Sequence, residues 1–188
     1  MTLHIPTTDI VLNLIARFDS DHRYGPADRV LSRVFTHHPF NDALEDVLIK
    51  VVLLNGLYNT NVLAVMDMAC HIRDLGIDVD LATSSSGLVD RIARLRIGDK
   101  TRRHYSFATK YCNWHRPEDY PIYDALVEKL LLLYQQQYSF AEFAKPDLRD
   151  YPRYKAIMAA FRVHFSLEDL SFKQIDKFLW WTSKDLGL

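Results

Sequence analysis

The sequence predicts an all-α fold, a compact multi-helix bundle of eight to ten helices. Apolar residues recur at three- and four-residue spacings along almost the whole chain, and no long stretch alternates β-branched with polar residues. Only 6 Gly and 7 Pro interrupt the 188 residues. Because no repeat, low-complexity segment or linker divides the chain, we expect one domain over residues 1–188.

The helices follow from local patterns. An apolar stripe from Val11 to Phe18 predicts the first helix, and Pro26 opens the second. Asn41 is expected to cap a long helix that runs to about Leu57. Thr60 or Asn61 is expected to cap the next helix, which Gly76 ends, and Ser84–Ser86 precede a short helix. The remaining predicted helices cover about 101–115, 125–138, 152–164 and 172–185.

Composition excludes several classes of protein. Hydrophobic residues make up 48% and charged residues 25%, so the chain is not intrinsically disordered. No apolar run approaches the roughly 20 residues that span a bilayer, and Lys50 interrupts the longest run. No signal peptide is visible, and the two cysteines are too few for a disulfide framework. We therefore expect a cytoplasmic protein that does not associate with membranes.

Positive charge is concentrated in one segment. Residues 91–116 contain eight Lys or Arg and one acid, Asp99, whereas the whole chain has a net charge of −1. A compact basic patch on an otherwise acidic protein is typical of a polyanion-binding surface. The alternative is a solvated helix face whose arginines pair with acids from elsewhere in the chain.

The most informative stretch runs from His104 to Asp124. It predicts a helix, a turn built on Pro117 and Pro121, and Asp124 at the N-terminus of the next helix. Asp124 is therefore either a simple helix cap or a fixed carboxylate beside a basic surface. In the second case it would stabilise positive charge that develops on a substrate, as in cleavage of a sugar–base bond.

Other catalytic signatures are missing from the sequence. There is no phosphate-binding or dinucleotide-binding glycine motif, no nucleophile elbow and no zinc-protease motif. Cys112 and His115 share a helical face, but a zinc site needs at least three converging ligands. We therefore expect no metal and no cofactor.

Three segments resemble the helix-hairpin-helix DNA glycosylase superfamily. They are Leu48–Met66 (LIKVVLLNGLYNTNVLAVM), the helix pair joined through Pro121-Ile-Tyr-Asp-Ala-Leu-Val127, and Ile175-Asp-Lys-Phe-Leu-Trp-Trp181. Within this superfamily the chain is most similar to small archaeal-type 8-oxoguanine glycosylases that lack an accessory β domain. The resemblance covers about residues 41–185 and implies a DNA glycosylase fold.

The resemblance also implies roles for individual residues. Asp124 would be the catalytic carboxylate, and the helix junction would wedge into the duplex. Basic residues would hold the DNA backbone, and aromatic residues would form the base pocket. Apart from the resemblance, His115 beside Trp114 would either contact the base or donate a proton to a leaving purine, or it would only support the turn at Pro117. The implied DNA-binding residues are Asn55, Tyr58, Asn59, Thr60, Arg96, Lys100, Arg102 and Arg103. The implied base-pocket residues are Tyr105, Trp114, His115, Tyr120, Tyr123, Trp180 and Trp181, with Phe178 beside them.

The sequence departs from the family in three places. Arg96-Ile-Gly-Asp-Lys100 stands where the family has a glycine-rich hairpin, so phosphate binding there is expected to differ. The family's Schiff-base lysine position corresponds to Ser106, which predicts a monofunctional enzyme that uses water; Lys110, one turn later, is the alternative catalytic lysine. The chain also lacks the C-terminal lysine that reads the base in the archaeal enzymes, so their substrate is not transferred.

The resulting expectation is a monomeric, monofunctional DNA N-glycosylase. It would flip a damaged or modified base out of double-stranded DNA and hydrolyse its glycosidic bond, in base excision repair or in defence against phage DNA with modified cytosine. The alternatives are a glycosylase/lyase that uses Lys110, a non-catalytic DNA-binding protein on the same scaffold, and a helical protein-interaction domain without a nucleic acid role.

Overall fold

The protein is mostly helical, as predicted. The computed structural model describes residues 3–188, and these form ten α-helices, one short 3₁₀ helix and one two-stranded β-hairpin. The helices are α1 (Thr8–Ser20), α2 (Tyr24–His37), α3 (Leu44–Tyr58), α4 (Val65–Leu75), α5 (Asp78–Ala82), α6 (Leu88–Ala93), α7 (Tyr105–His115), α8 (Ala125–Tyr138), α9 (Tyr151–His164) and α10 (Phe172–Asp185). The hairpin consists of β1 (Arg94–Ile97) and β2 (Lys100–Arg103), and the 3₁₀ helix is Lys145–Arg149.

Helix pairs enclose a continuous apolar core. Helix α1 packs on α10 and α2, α3 packs on α4, α6 packs on α7, and α8 packs on α10. Burial of apolar side chains is the main force that holds these helices together, because it removes apolar surface from water. No helix within residues 3–188 is long and apolar enough to cross a membrane.

The predicted helix over 101–115 begins later than expected. Residues 100–103 instead form β2, which pairs antiparallel with β1, and α7 starts at Tyr105. Gly98 adopts φ of +58° at the turn, a conformation that glycine adopts without strain. The strands are only four residues long and rich in arginine, so their alternation is too short to be recognised in the sequence.

Several predicted helix ends are confirmed and others differ. Asp124 caps α8, and Gly76 ends α4 in a left-handed conformation, both as expected. Asn41 does not cap α3, and neither Thr60 nor Asn61 caps α4, because these helices start after Ala43 and Ala64, which have no capping side chain. Tertiary contacts, rather than caps, define these two helix starts.

Lys50 is the main surprise in the core. Its side chain is fully buried, and its Nζ donates hydrogen bonds to the carbonyl oxygens of His38 and Phe40 and to Oδ1 of Asn41. Burial lowers the pKa of Lys50 to about 8. This lysine interrupts the apolar run of α3 because it fixes the connection between α2 and α3, which has no regular hydrogen bonds of its own.

Candidate functional site: a lysine–carboxylate pair at a cavity

A buried lysine and a helix-capping carboxylate meet between α7 and α8. Lys110 Nζ lies 3.1 Å from Asp124 Oδ2, and the side chains are 2% and 26% exposed. The other oxygen of Asp124, Oδ1, accepts a hydrogen bond from the backbone amide of Leu126 at 3.0 Å. The carboxylate is therefore held by a cation on one side and by a helix N-terminus on the other, and both favour its negative charge.

Lys110 is oriented by its own helix and by the turn before α8. Its Nζ donates to Ser106 Oγ at 2.6 Å and to the carbonyl oxygen of Tyr123 at 3.3 Å. It also lies 5.4 Å from the centre of the Tyr58 ring, a favourable cation–π distance. Lysine is flexible in solution, and these contacts restrict its amine to one position beside Asp124.

The pair opens onto a cavity of about 340 Å³. Such a volume is at the small end of the range for small-molecule pockets. Its walls combine apolar and aromatic side chains with three carboxylates and one amine. The lining residues are Phe18, Tyr24, Ala27, Asp28, Leu31, Leu57, Tyr58, Asn59, Lys110, Asp124, Leu126, Asp176 and Trp180.

Asp176 is the most unusual wall residue. It is 8% exposed, and its side chain accepts no hydrogen bond from residues 3–188. Burial raises the pKa of Asp176 to about 6, although Lys173 and Lys110 oppose the shift. Because the carboxylate lines the cavity, it is placed to accept hydrogen bonds from a group that enters there.

Behind the cavity wall, Lys173 and Lys177 hold a second acid. Asp28 lies 3.2 Å from Lys173 Nζ and 2.9 Å from Lys177 Nζ. Lys173 also donates to the Tyr58 hydroxyl at 2.9 Å. Burial disfavours the charge of Lys173, but Tyr58, Asp28 and Asp176 together raise its pKa. The cavity floor is thus a network of buried charges rather than apolar packing.

The structure separates the predicted base-pocket residues into four groups. Trp180 lines the cavity and packs edge-on against Tyr24 at 4.6 Å between ring centres. Trp181 and Phe178 are buried in the neighbouring part of α10. Tyr105, Tyr120 and Tyr123 lie in the core and not at the cavity. In the core the Tyr105 hydroxyl donates to the Leu148 carbonyl oxygen, and the Tyr123 hydroxyl donates to the Glu128 carboxylate. The Tyr120 hydroxyl lies within hydrogen-bond distance of the carbonyl oxygens of Asp80 and Ser85.

Trp114 and His115 line a different cavity, of about 510 Å³, between α2 and the end of α7. Burial lowers the pKa of His115 to about 3, so its ring is neutral near pH 7. A neutral imidazole in this position cannot act as an imidazolium acid on a group in the Asp124 cavity.

The junction between α3 and α4 is braced from inside. Asn55 Oδ1 accepts from Thr60 Oγ1 and from the amide of Val62, both at 2.9 Å. Tyr58 and Asn59 reach the cavity, whereas Asn55 and Thr60 maintain the shape of the loop. Beyond them Leu63 is 81% exposed, more than any other large apolar side chain within residues 3–188. Leu63 carries no distinguishing signal in the sequence, because exposure cannot be read from residue type.

The predicted DNA-binding cations all lie on the β-hairpin, but they differ in their partners. Arg103 Nε lies 3.1 Å from Asp90, and its guanidinium also donates to the carbonyl oxygen of Arg149. Arg96, Lys100 and Arg102 are exposed and have no carboxylate partner within residues 3–188. Among the four predicted DNA-binding cations, all within residues 3–188, these three are therefore free for an external anion.

Asp28 and Asp176 are site residues that sequence reasoning missed. One signal was available for Asp176: it precedes Trp180 by four residues, so both lie on one face of α10. Nothing local distinguishes Asp28. Within residues 3–188, no group of three or more His, Cys, Asp or Glu side chains is arranged to hold a metal ion.

We expect Asp176→Asn to stabilise the protein, and to do so more at pH 7.5 than at pH 5. In the folded state Asp176 has a pKa of about 6, above its unfolded value near 3.8, so ionisation at neutral pH opposes folding. That cost decreases as the pH falls through 6. Urea denaturation of wild type and variant at both pH values measures the difference, with exposed Asp169→Asn as the control. An equal effect at both pH values would contradict the raised pKa.

Comparison with known proteins places the chain in a family. Residues 10–119, more than half of the chain, match the family HI_0787_N, described as an N-terminal domain. The chain is also 35% identical over 144 residues to an uncharacterized protein of Haemophilus influenzae, and the match covers 76% of this chain and 69% of that protein. No solved structure matches. The matched family region includes Lys110 but ends before Asp124, and the chain is a member of the HI_0787_N family.

Proposed function

We propose that the protein is a DNA glycosylase that removes a base extruded from double-stranded DNA. The observation that carries the proposal is the Lys110–Asp124 pair, 3.1 Å apart at the wall of a cavity that also contains an unpartnered carboxylate and an aromatic side chain. Base removal requires such a combination: a fixed negative charge beside the sugar and a pocket for the base.

Asp124 would act on the sugar. As the bond between C1′ and the base nitrogen breaks, positive charge develops on the sugar ring, and a nearby carboxylate stabilises it. Asp124 is suited to this role because the Leu126 amide and Lys110 fix its position before the substrate arrives. A preoriented charge needs no rearrangement during the reaction, which makes its stabilisation of the transition state large.

Trp180 and Asp176 would hold the base. Trp180 and Tyr24 provide aromatic surface within the cavity, and stacking of a base on an aromatic ring contributes about 1–3 kcal/mol. The unpartnered carboxylate of Asp176 would accept hydrogen bonds from N–H groups on the edge of the base. The proposed substrate class is therefore a base that presents N–H donors, damaged or modified.

We expect Asp124→Asn to lower the rate of base release about 100-fold or more while duplex binding is retained, because the amide keeps the shape but not the charge. Single-turnover release of bases from a panel of modified oligonucleotides, followed by mass spectrometry, measures the rate. Asp169→Asn, an exposed acid away from the cavity, is the matched control. An Asp124→Asn variant with near wild-type activity would remove Asp124 from the mechanism. Duplex binding without base release by the wild type would favour the non-catalytic DNA-binding alternative.

A second candidate is a glycosylase with lyase activity, in which Lys110 replaces water. The position of Lys110 favours this candidate. Ser106 stands where the family has its Schiff-base lysine, but its hydroxyl accepts a hydrogen bond from Lys110 Nζ, which also donates to Asp124. Lys110 would pass a proton to Asp124, and its nitrogen would form a bond to C1′ while the base departs with the electrons of its glycosidic bond. The departing base would take a second proton from the lysine nitrogen. The bond between C1′ and O4′ would then break, with O4′ taking the last proton of that nitrogen, which gives an open sugar joined to Lys110 as an imine.

Borohydride reduction separates the two candidates, because it converts an imine into a stable protein–DNA adduct. The lyase candidate predicts an adduct with wild type that disappears in Lys110→Gln. The water mechanism predicts no adduct with either protein and a measurable residual rate of base release for Lys110→Gln.

Leu63 would fill the space that the extruded base leaves in the duplex. It is 81% exposed and follows the braced junction whose Tyr58 and Asn59 line the cavity. Apolar side chains inserted between base steps are a known means of stabilising an opened duplex, where unstacking costs a few kcal/mol. The exposed Leu63 side chain would therefore contact DNA, in the space left by the extruded base, and not another protein.

We expect Leu63→Ala to slow base release from double-stranded substrate about 10-fold or more and to leave release from single-stranded substrate nearly unchanged. Only the duplex has a gap to fill, so the ratio of the two rates is the diagnostic. Val163→Ala, which truncates a side chain that is 62% exposed on α9, is the control. Equal losses on both substrates would assign Leu63 a structural role instead.

A further inference from the structure

We propose that the β1–β2 hairpin is a phosphate-binding ribbon for double-stranded DNA, and that the unpaired cations Arg96, Lys100 and Arg102 make its phosphate contacts. The proposal rests on the proposed function in taking DNA as the polyanion. It assigns the DNA-backbone contact to a β-ribbon, at the position where the resemblance implied a helical hairpin.

The ribbon is anchored at its base by two arginines that are already paired. Arg94 lies 2.5 Å and Arg103 3.1 Å from the carboxylate of Asp90. These two arginines also face each other across the strands in the hairpin register. Arg103 stacks its guanidinium over Tyr105 at 4.3 Å, which ties the ribbon to the first residue of α7. Both guanidinium groups are thus paired with Asp90, which offsets one of their two positive charges, and both serve to hold the hairpin.

Towards the tip the charges are free. The register pairs Arg96 with Thr101 and Ile97 with Lys100, and it places Arg102 opposite the buried Leu95. Arg96 donates only to the carbonyl oxygen of Gly98, so its charge has no acidic partner. Side chains alternate between the faces of a strand, so Arg96 lies on one face of the ribbon and Lys100 and Arg102 on the other. Free cations on both faces match a site between phosphates, since a two-stranded ribbon fits the major groove of B-DNA.

The ribbon is also close to the candidate site in the chain. Six residues lie between Arg103 and Lys110, and the rise from Tyr105, where α7 begins, to Lys110 is about 7.5 Å along the helix axis. Because α7 is buried over most of its length, it holds the ribbon at a fixed position relative to Lys110. Phosphate contacts at the ribbon would therefore set the register of the DNA relative to the lysine–carboxylate pair.

The salt dependence of binding tests the proposal. Each phosphate contact with B-DNA contributes about 0.9 to the slope of log K against log salt concentration. We expect the combined variant Arg96→Ala, Lys100→Ala, Arg102→Ala to reduce the slope by roughly 2–3, with weaker binding near physiological salt. Fluorescence anisotropy with an unmodified 20-base-pair duplex in about 50–200 mM NaCl measures it.

Two controls make the result specific. Arg94→Ala removes from the same ribbon a guanidinium that is engaged by Asp90, while Arg103 keeps its pairing with that carboxylate, and Lys129→Ala removes an exposed charge on α8. Both are expected to leave the slope nearly unchanged. Melting temperatures confirm folding, and a triple glutamine variant replaces the alanine variant if the latter melts early. Equal slopes for wild type and triple variant, or no duplex binding by the wild type, would overturn the proposal.

The salt-dependence test of the ribbon can fail or succeed independently of the base-release test of the proposed function. Suppose that the wild type releases no base from any DNA, but that the triple variant binds duplex DNA with a smaller salt dependence than the wild type. The glycosylase proposal then fails and the ribbon proposal stands. If base release occurs and the slope is unchanged, the reverse holds. Tighter binding of single-stranded DNA or RNA than of the duplex would also contradict a ribbon that fits a groove.

Discussion

The contact between Lys110 and Asp124 is the interaction on which the candidate site depends. It joins two helices that meet at a proline-containing turn, and it is formed by a lysine that is almost completely removed from water. A buried ammonium is stable only when it is paired and hydrogen-bonded. Here the ammonium of Lys110 donates hydrogen bonds to Ser106, to the Tyr123 carbonyl oxygen and to Asp124. The positions of Lys110 and Asp124 therefore depend on each other.

The same reasoning explains why the cavity floor is unusual. Asp28, Lys173, Lys177 and Tyr58 compensate one another, whereas Asp176 has no hydrogen-bond partner of its own. A fold optimised for stability alone would replace such a residue, because neutral or apolar groups of similar size are often more stable in buried positions. Retention of unsatisfied charge at one wall of a cavity is typical of sites that bind or react, where stability is exchanged for function.

Much of the helical framework could be predicted from the sequence. The apolar stripes, Gly76 and Asp124 carry strong local signals, and α8 and α10 begin and end where the pattern placed them. Prediction failed where tertiary contacts override local preference. The hairpin at Arg94–Arg103 is too short to show its period, and Asn41 serves the buried Lys50 rather than a helix start.

The site was predicted in part for a similar reason. Asp124 was identified because capping is a local property, and Lys110 because its distance along a helix from Ser106 is fixed. Tyr105, Tyr120 and Tyr123 were expected in the base pocket on residue type alone, but aromatic side chains near a turn fill a core as readily as a pocket. Asp28 and Asp176 reach the cavity from α2 and α10, which are far apart in sequence, and no local pattern records that convergence.

The free and paired arginines of the hairpin show how charge in a sequence differs from charge at a surface. The segment 91–116 has a net charge of +7, yet several of its cations are neutralised by Asp80, Asp90, Asp119 and Asp124. What remains is a small set at the exposed ribbon. Since unpaired charges release counterions when they meet phosphate, these few side chains, and not the total charge of the segment, are the part of it that we propose for contact with a polyanion.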